Sequence, residues 1–164
     1  MIGKAMQESI NEQINKELFS SYLYLSMSAY FEEKNLPGFA SWMRIQEGEE
    51  REHAMKFYEF LLERNGRVLL KTIEAPATDW ESPLDVFKQA AEHEAKVTAS
   101  INALYELALK EKDYPAQVML QWFISEQVEE EKNAAEIVAQ LELVEARGTA
   151  ILMLDHRLAK RGGE

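Results

Sequence analysis

Glu49-Glu50-Arg51-Glu52-His53-Ala54-Met55 decides how this chain is read. Glu50 and His53 stand three residues apart, so on a helix they share one face and can reach one ion. That face continues outward through Gln46, Met43, Trp42 and Phe39 on one side and Phe57, Phe60 and Leu61 on the other. A carboxylate and an imidazole thus interrupt an otherwise apolar stripe. Alone the pair is weak, because Glu-x-x-His arises by chance and a core histidine is usually just hydrogen-bonded.

Three further stripes break the same way near their middles. A first helix, from about Ala5 to Glu33, aligns Ile10, Ile14, Glu17, Ser21, Tyr24 and Ser28. A third, starting at Ser82-Pro83, aligns Phe87, Ala91, Glu94, Thr98, Ile101, Tyr105 and Ala108. A fourth aligns Leu120, Phe123, Gln127, Glu130, Ala134, Ile137, Val138 and Leu141. A carboxylate in an apolar face is costly unless something cationic pairs with it. Several meeting at one level of a helical bundle would repel each other, and bound metal is the common remedy. The ligand set points to two ions side by side in an all-α four-helix bundle.

Asn35-Leu36-Pro37-Gly38 reads as a turn, with Pro37 in the first turn of a second helix that runs to about Arg64. Asn65-Gly66 reads as its stop, with Gly66 in the left-handed cap conformation. Residues 66–82 show no helical period. So long a connection suits a crossover that makes the second and third helices parallel. Val68 to Ile73 is the one stretch that could be extended, as a hairpin edge. Ser82 should cap the third helix with Asp85 in its first turn, and Asp113 the fourth, ahead of Pro115. Gly148 reads as the end of the fourth helix and Thr149 as the cap of a short fifth one to about Lys160. Ala150-Ile151-Leu152-Met153-Leu154 is too apolar for an exposed tail and suggests packing against another subunit.

Composition narrows the class. The 164 residues suit one domain spanning 1–164, and 7 Gly and 4 Pro leave long stretches free of breakers. There is no Cys, which removes disulfides, thiolate metal sites and thiol catalysis. No apolar run is long enough to span a membrane, and the N-terminal residues lack the basic start and apolar block of a signal peptide, so a cytoplasmic location is expected. A formal net charge of -11 argues against nucleic acid as a partner. The same excess serves solubility or a surface that attracts cations.

Carboxylates with one imidazole suit iron or manganese better than structural zinc or copper. Glu17, Glu50 and His53 form one position. Glu50 bridges to a second held by Glu94, with Glu130 near it. Gln127 is neutral, lowers the charge of the site, and can bond a bridging oxygen or water instead of ligating. Where a symmetric site would repeat Glu-x-x-His, this chain reads Gln127-Val128-Glu129-Glu130. The second position should therefore bind more weakly, which suits iron passing through. Glu126, Glu129 and Glu130, with Glu49, read either as a solvated acidic face or as a third iron position. Tyr24 and Trp122 read as core aromatics or as electron donors during oxygen reduction. His93, rotated about 100° from Glu94, and His156 read as structural.

Several segments together resemble the bacterial non-haem ferritins. They are Asn15-Lys16-Glu17, Ser20-Ser21-Tyr22-Leu23-Tyr24, Gly38-Phe39-Ala40-Ser41-Trp42, Glu49 to Met55, Glu63-Arg64-Asn65-Gly66 and Glu126 to Glu131. The resemblance covers essentially the whole chain. It implies a ferritin-like bundle with the long crossover and a short fifth helix that packs a hollow shell of twenty-four subunits. It also implies oxidation of Fe(II) by O2 or H2O2 and storage of a ferric mineral. By motif, Glu17, Glu50 and His53 fall at the first iron site, Glu50, Glu94 and Glu130 at the second beside Gln127, and Glu49, Glu126, Glu129 and Glu130 at a third. Tyr24 and Trp122 match the site aromatics. Haem is not expected, since haem-binding relatives carry Met where this chain has Arg51. Some members line their iron channels with acidic residues early in the fourth helix, whereas this chain reads Tyr114 to Leu120 there with no carboxylate.

Two other classes compete. A rubrerythrin-like di-iron peroxidase would carry a second Glu-x-x-His and usually a Cys-rich module, and neither is present. A silent or DNA-protecting shell would not need the full ligand set and would favour a basic tail.

Overall fold

The computed structural model describes residues 2–144 and 148–161. Five helices follow one another: α1 (Lys4–Glu33), α2 (Pro37–Glu63), α3 (Pro83–Glu111), α4 (Tyr114–Val144) and α5 (Gly148–Leu158). No strand occurs among the described residues. None of their helices is long and apolar enough to cross a membrane.

Side-chain contacts fix the topology. Ser28 reaches Ala40 and Ser21 reaches Glu47, so α1 and α2 are antiparallel. Ser100 pairs with Gln13 and His93 with Ser20, so α3 is antiparallel to α1 as well. α2 and α3 therefore run parallel, as the crossover requires. The crossover lies along α1 from end to end. Asn11 bonds the backbone of Arg67 and Leu69, Ser26 donates to the carbonyl of Ala77, and Trp80 stacks edgewise on Tyr30. No strand forms at Val68 to Ile73, where the Leu69 amide donates to Asn11 Oδ1 of α1.

The caps are in part as expected. Ser82 Oγ accepts from the amide of Asp85 at 3.2 Å, and Asp113 Oδ1 from that of Ala116 at 3.1 Å. The Asp113 carboxylate also takes both arms of Arg64, tying the end of α2 to the start of α4, and its pKa lies below the usual carboxylate range because these bonds outweigh burial. Two cap assignments need correction. At the end of α2 it is Asn65, with φ 54°, that turns left-handed. Gly66 is needed for space instead, since a Cβ there would lie 3.0 Å from the Leu61 carbonyl oxygen. Gly148 does not end α4. It is the first described residue of α5, so Thr149 lies inside that helix, and the end of α4 lies outside the described residues.

Two apolar clusters fill the bundle. One gathers Met6, Ile10, Phe57, Leu61, Ile101, Leu120 and Phe123, with Phe57 and Phe123 stacked at 4.0 Å. The other gathers Tyr24, Phe31, Phe39, Met43, Phe87, Ile137 and Leu141, and α5 adds Leu154 and Leu158. On every long helix the residues between the two clusters are polar: Glu17 and Ser20, Gln46 to His53, Glu94, and Gln127 with Glu130. The α3 face is turned slightly from the expected stripe. Its buried line uses Ala90, Val97 and Leu104 in place of Ala91, Thr98 and Tyr105. Glu94 stays on it.

Candidate metal centre

The polar layer is buried. Glu17, Glu50 and Glu94 are each 1% exposed, and His53, Gln127 and Glu130 are buried beside them. Ligand atoms of Glu17, Glu50 and His53 lie within 4.8 Å of one another, close enough to share an ion. His53 Nδ1 sits 3.6 Å from Glu50 Oε2. Glu17 Oε1 accepts from Gln13 Nε2 at 2.7 Å, while its Oε2 is buried with no hydrogen-bond partner. A proton shared with the neighbouring Glu50 carboxylate would satisfy it in the metal-free protein, and a divalent ion held with Glu50 and His53 would satisfy it in place of that proton. The donor set therefore fits iron as substrate.

A second group within the same radius is His53, Glu126 and Glu130. Glu94 is held from two sides. The Tyr24 hydroxyl donates to its Oε1, and Gln127 Nε2 lies 3.2 Å from its Oε2 and from Thr98 Oγ1. Gln127 thus orients a carboxylate. Glu49 and Glu126 are half-buried and Glu129 is exposed. Trp122 is 39% exposed and meets His53 edgewise at 5.5 Å, with the Lys56 ammonium 3.9 Å from its ring centre. His93 faces Ser20, at 2.7 Å, and His156 is exposed.

Protons balance the charge of this layer. Burial, then the neighbouring Glu50 charge, push Glu17 far above the carboxylate range. The same causes lift Glu94 to about 8 and Glu130 to about 7. Burial also keeps the Tyr24 hydroxyl protonated, as Glu94 does. At His53 burial disfavours the imidazolium, but the bond and charge of Glu50, with Glu17 and Glu130, prevail and raise it to about 9.

Two glutamines and an arginine complete the arrangement. Gln46 Nε2 donates to Glu50 Oε1 at 3.0 Å and to Glu130 Oε2 at 2.8 Å, a crossbar between α2 and α4. Gln13 and Gln46 each stand four residues before a glutamate of the site, a same-face spacing that could have marked them. Arg161, beyond α5, bonds Gln46 and Glu49, and no local signal marks it.

Comparison with known proteins agrees with this architecture. The family model described as "Ferritin-like domain" matches residues 7–144. The chain is 41% identical to a bacterial non-heme ferritin of Bacteroides fragilis (strain 638R) over 161 residues, 98% of this chain and 100% of that protein. A bacterial non-heme ferritin of Campylobacter jejuni is 39% identical over 94% of this chain and 93% of its own. Among solved structures, an open pore ferritin from the archaeon Archaeoglobus fulgidus superposes with a TM-score of 0.96 at 47% identity, covering 97% of this chain and 98% of that one. With the four helices, the crossover and the buried carboxylate layer, these likenesses place the chain in the ferritin family.

Proposed function

We propose that this chain is a ferroxidase and iron store. Fe(II) binds in the polar layer and is oxidised by O2 or H2O2, and the ferric product is kept as an oxide-hydroxide mineral inside a shell of twenty-four copies. One observation carries the reading: the buried Glu17–Glu50–His53 group, with a carboxylate oxygen that has no partner.

The first Fe(II) takes Glu17, Glu50 and His53. The second takes Glu50, Glu94 and Glu130 beside Gln127, and a third position uses Glu49, Glu126, Glu129 and Glu130. The gathering of Glu126 with Glu130 and His53 supports a cation position on that side. Each ferrous ion gives one electron to the oxidant, and anionic ligands stabilise the higher charge. The chain's own work is to exclude water, fix the carboxylates and handle protons. Glu17, Glu94 and His53 give up theirs as cations arrive. Tyr24 keeps its proton and steers Glu94. Leu143, Leu152 and Met153 are 82%, 60% and 72% exposed at the α4–α5 end, an apolar surface that suits burial between copies.

The test is aerobic addition of Fe(II) in large excess over protein, following ferric absorbance and solubility. A store keeps iron soluble far beyond its ligand count. Saturation at about two per chain, the capacity of a di-iron enzyme site, would favour the peroxidase reading.

A further inference from the structure

Arg161 lies three residues past the end of α5, yet its guanidinium reaches the edge of the metal-ligand layer. Its Nη2 pairs with Glu49 Oε2, and its Nη1 donates to Gln46 Oε1 at 2.9 Å and weakly to the Trp42 carbonyl at 3.5 Å. The fork lies over the Trp42 ring, 4.3 Å from its centre. Holding the Gln46 carbonyl dictates where the amide nitrogen points, namely at Glu50 and Glu130. The guanidinium is thus the outermost link of a chain Arg161–Gln46–Glu50/Glu130.

We propose that Arg161 is a tethered counter-cation: it occupies the cation position at Glu49, so that a divalent ion can bind Glu49 only when Arg161 leaves. The inference rests on the ferroxidase reading and adds a regulator to its third position. The charge argument is direct. Arg161 Nη2 is paired with Glu49 Oε2 and so neutralises a half-buried carboxylate next to the ligand Glu50. Unlike the protons deeper in the layer, a guanidinium charge does not depend on pH. With Nη2 on Glu49 Oε2, a divalent ion on the same carboxylate would stand beside the guanidinium, and the two cations repel each other.

The tether makes exchange feasible. α5 is seated independently, by Leu154 and Leu158 in the core and by Asp155 on the amide of Phe39. Residues 159–161 form a turn beyond that anchor, so the long side chain can swing out while α5 stays docked. Its attachment keeps the local cation concentration high, and the outermost ion must outcompete it. Departure also frees Gln46, loosening the crossbar between Glu50 and Glu130. Arg161 is accordingly a positioning residue acting through Gln46 and Glu49.

The experiment is anaerobic calorimetry of Co(II) binding to the assembled protein, comparing wild type with Arg161→Met and Arg161→Lys. Methionine keeps an apolar stem over Trp42 and removes the charge; lysine keeps the charge and loses the fork. The weakest Co(II) step should tighten about tenfold in Arg161→Met, the weight of one charge-assisted contact, and by less in Arg161→Lys. The tightest step should change less than the weakest one, since Arg161 reaches its ligand Glu50 only through Gln46. Anomalous diffraction from Co(II)-soaked crystals supplies a second readout: cobalt on Glu49 should coincide with a displaced Arg161. Identical isotherms, no cobalt at Glu49 in any variant, or cobalt there with the ion pair intact would each overturn the proposal. Should Arg161→Met not assemble, the lysine variant and the wild-type crystals decide alone. Absence of cobalt at Glu17, Glu50 and His53 would instead defeat the ferroxidase reading itself.

Discussion

The Tyr24 hydroxyl donates a hydrogen bond to Glu94 Oε1 inside the bundle, locking α1 to α3 at the level of the buried carboxylate layer. Burial and Glu50 drive Glu94 toward its neutral form, and this bond pulls the other way. The tyrosine therefore helps keep a ligand available as a carboxylate. Tyr24→Phe removes a bond worth about 1.5–3 kcal/mol to a charged acceptor, while the ring still fills the same core space. Initial Fe(II) oxidation should slow about tenfold or more, and the metal-free variant should melt several degrees lower. Equal rates in stopped-flow absorbance would take Tyr24 out of the chemistry.

Stability should respond to pH in an uncommon direction when the protein is stripped of metal. Glu17 is raised by burial, Glu94 to about 8, Glu130 to about 7 and His53 to about 9. All four hold their protons more tightly folded than unfolded. The carboxyl contributions are complete below their ordinary value of 4.5 and disappear as pH climbs through about 7 and 8. The His53 contribution is complete below 6.5 and disappears through about 9. Calorimetric melting should therefore give a temperature that falls from about pH 5 to about pH 9, and saturating Co(II) should flatten the slope. A melting temperature that climbs across that interval would contradict the assigned burial of these charges.

Much of this was readable from helical spacing. Glu17, Glu50, His53, Glu94, Gln127 and Glu130 each fall on a stripe whose period is set by the helix, so their meeting follows from register alone. The crossover was readable because residues 66–82 lack any period. What escaped depends on three-dimensional choices. Asn65 and Gly66 can both end a helix; the left-handed turn falls at Asn65, while Gly66 donates to the Leu61 carbonyl where a Cβ would be crowded. The rotation of the α3 stripe reflects packing against two neighbours at once. Arg161 reaches Glu49 across 112 residues, which no local pattern encodes.

Gly38 and Asp155 make the docking of α5 specific. A Cβ on Gly38 would stand 1.8 Å from the Asp155 carbonyl oxygen, so α5 crosses the start of α2 at a distance only glycine allows. Asp155 Oδ1 in turn accepts from the amide of Phe39 at 2.8 Å, capping α2 from another helix. Gly38→Ala should unseat α5 and shift the assembled shell toward smaller species on sizing chromatography. Asp155→Ala should cost about 1–2 kcal/mol, as loss of a helix cap does, and still assemble. A Gly38→Ala protein that sizes and melts like wild type would show that the helix crossing is not close in solution.

His53 supplies the sharpest separation of chemistry from architecture. Its imidazole is the one nitrogen donor in a layer of carboxylates and packs edgewise on Trp122 and Phe123, at 5.5 and 5.8 Å. It also opposes the charges of Glu50, Glu17 and Glu130. His53→Ala loses both roles, and the two have different signatures. Without the nitrogen donor the tightest Co(II) step should weaken about 10–100-fold and Fe(II) oxidation should slow sharply, while sizing shows the shell intact. Without the cation, Glu17 and Glu130 lose an influence that lowers their proton affinity, so melting of the metal-free variant should depend on pH more steeply than wild type through the carboxylate range. A variant that melts lower at every pH by one constant amount would reveal a packing loss alone. Unchanged initial oxidation rates would remove His53 from the mechanism.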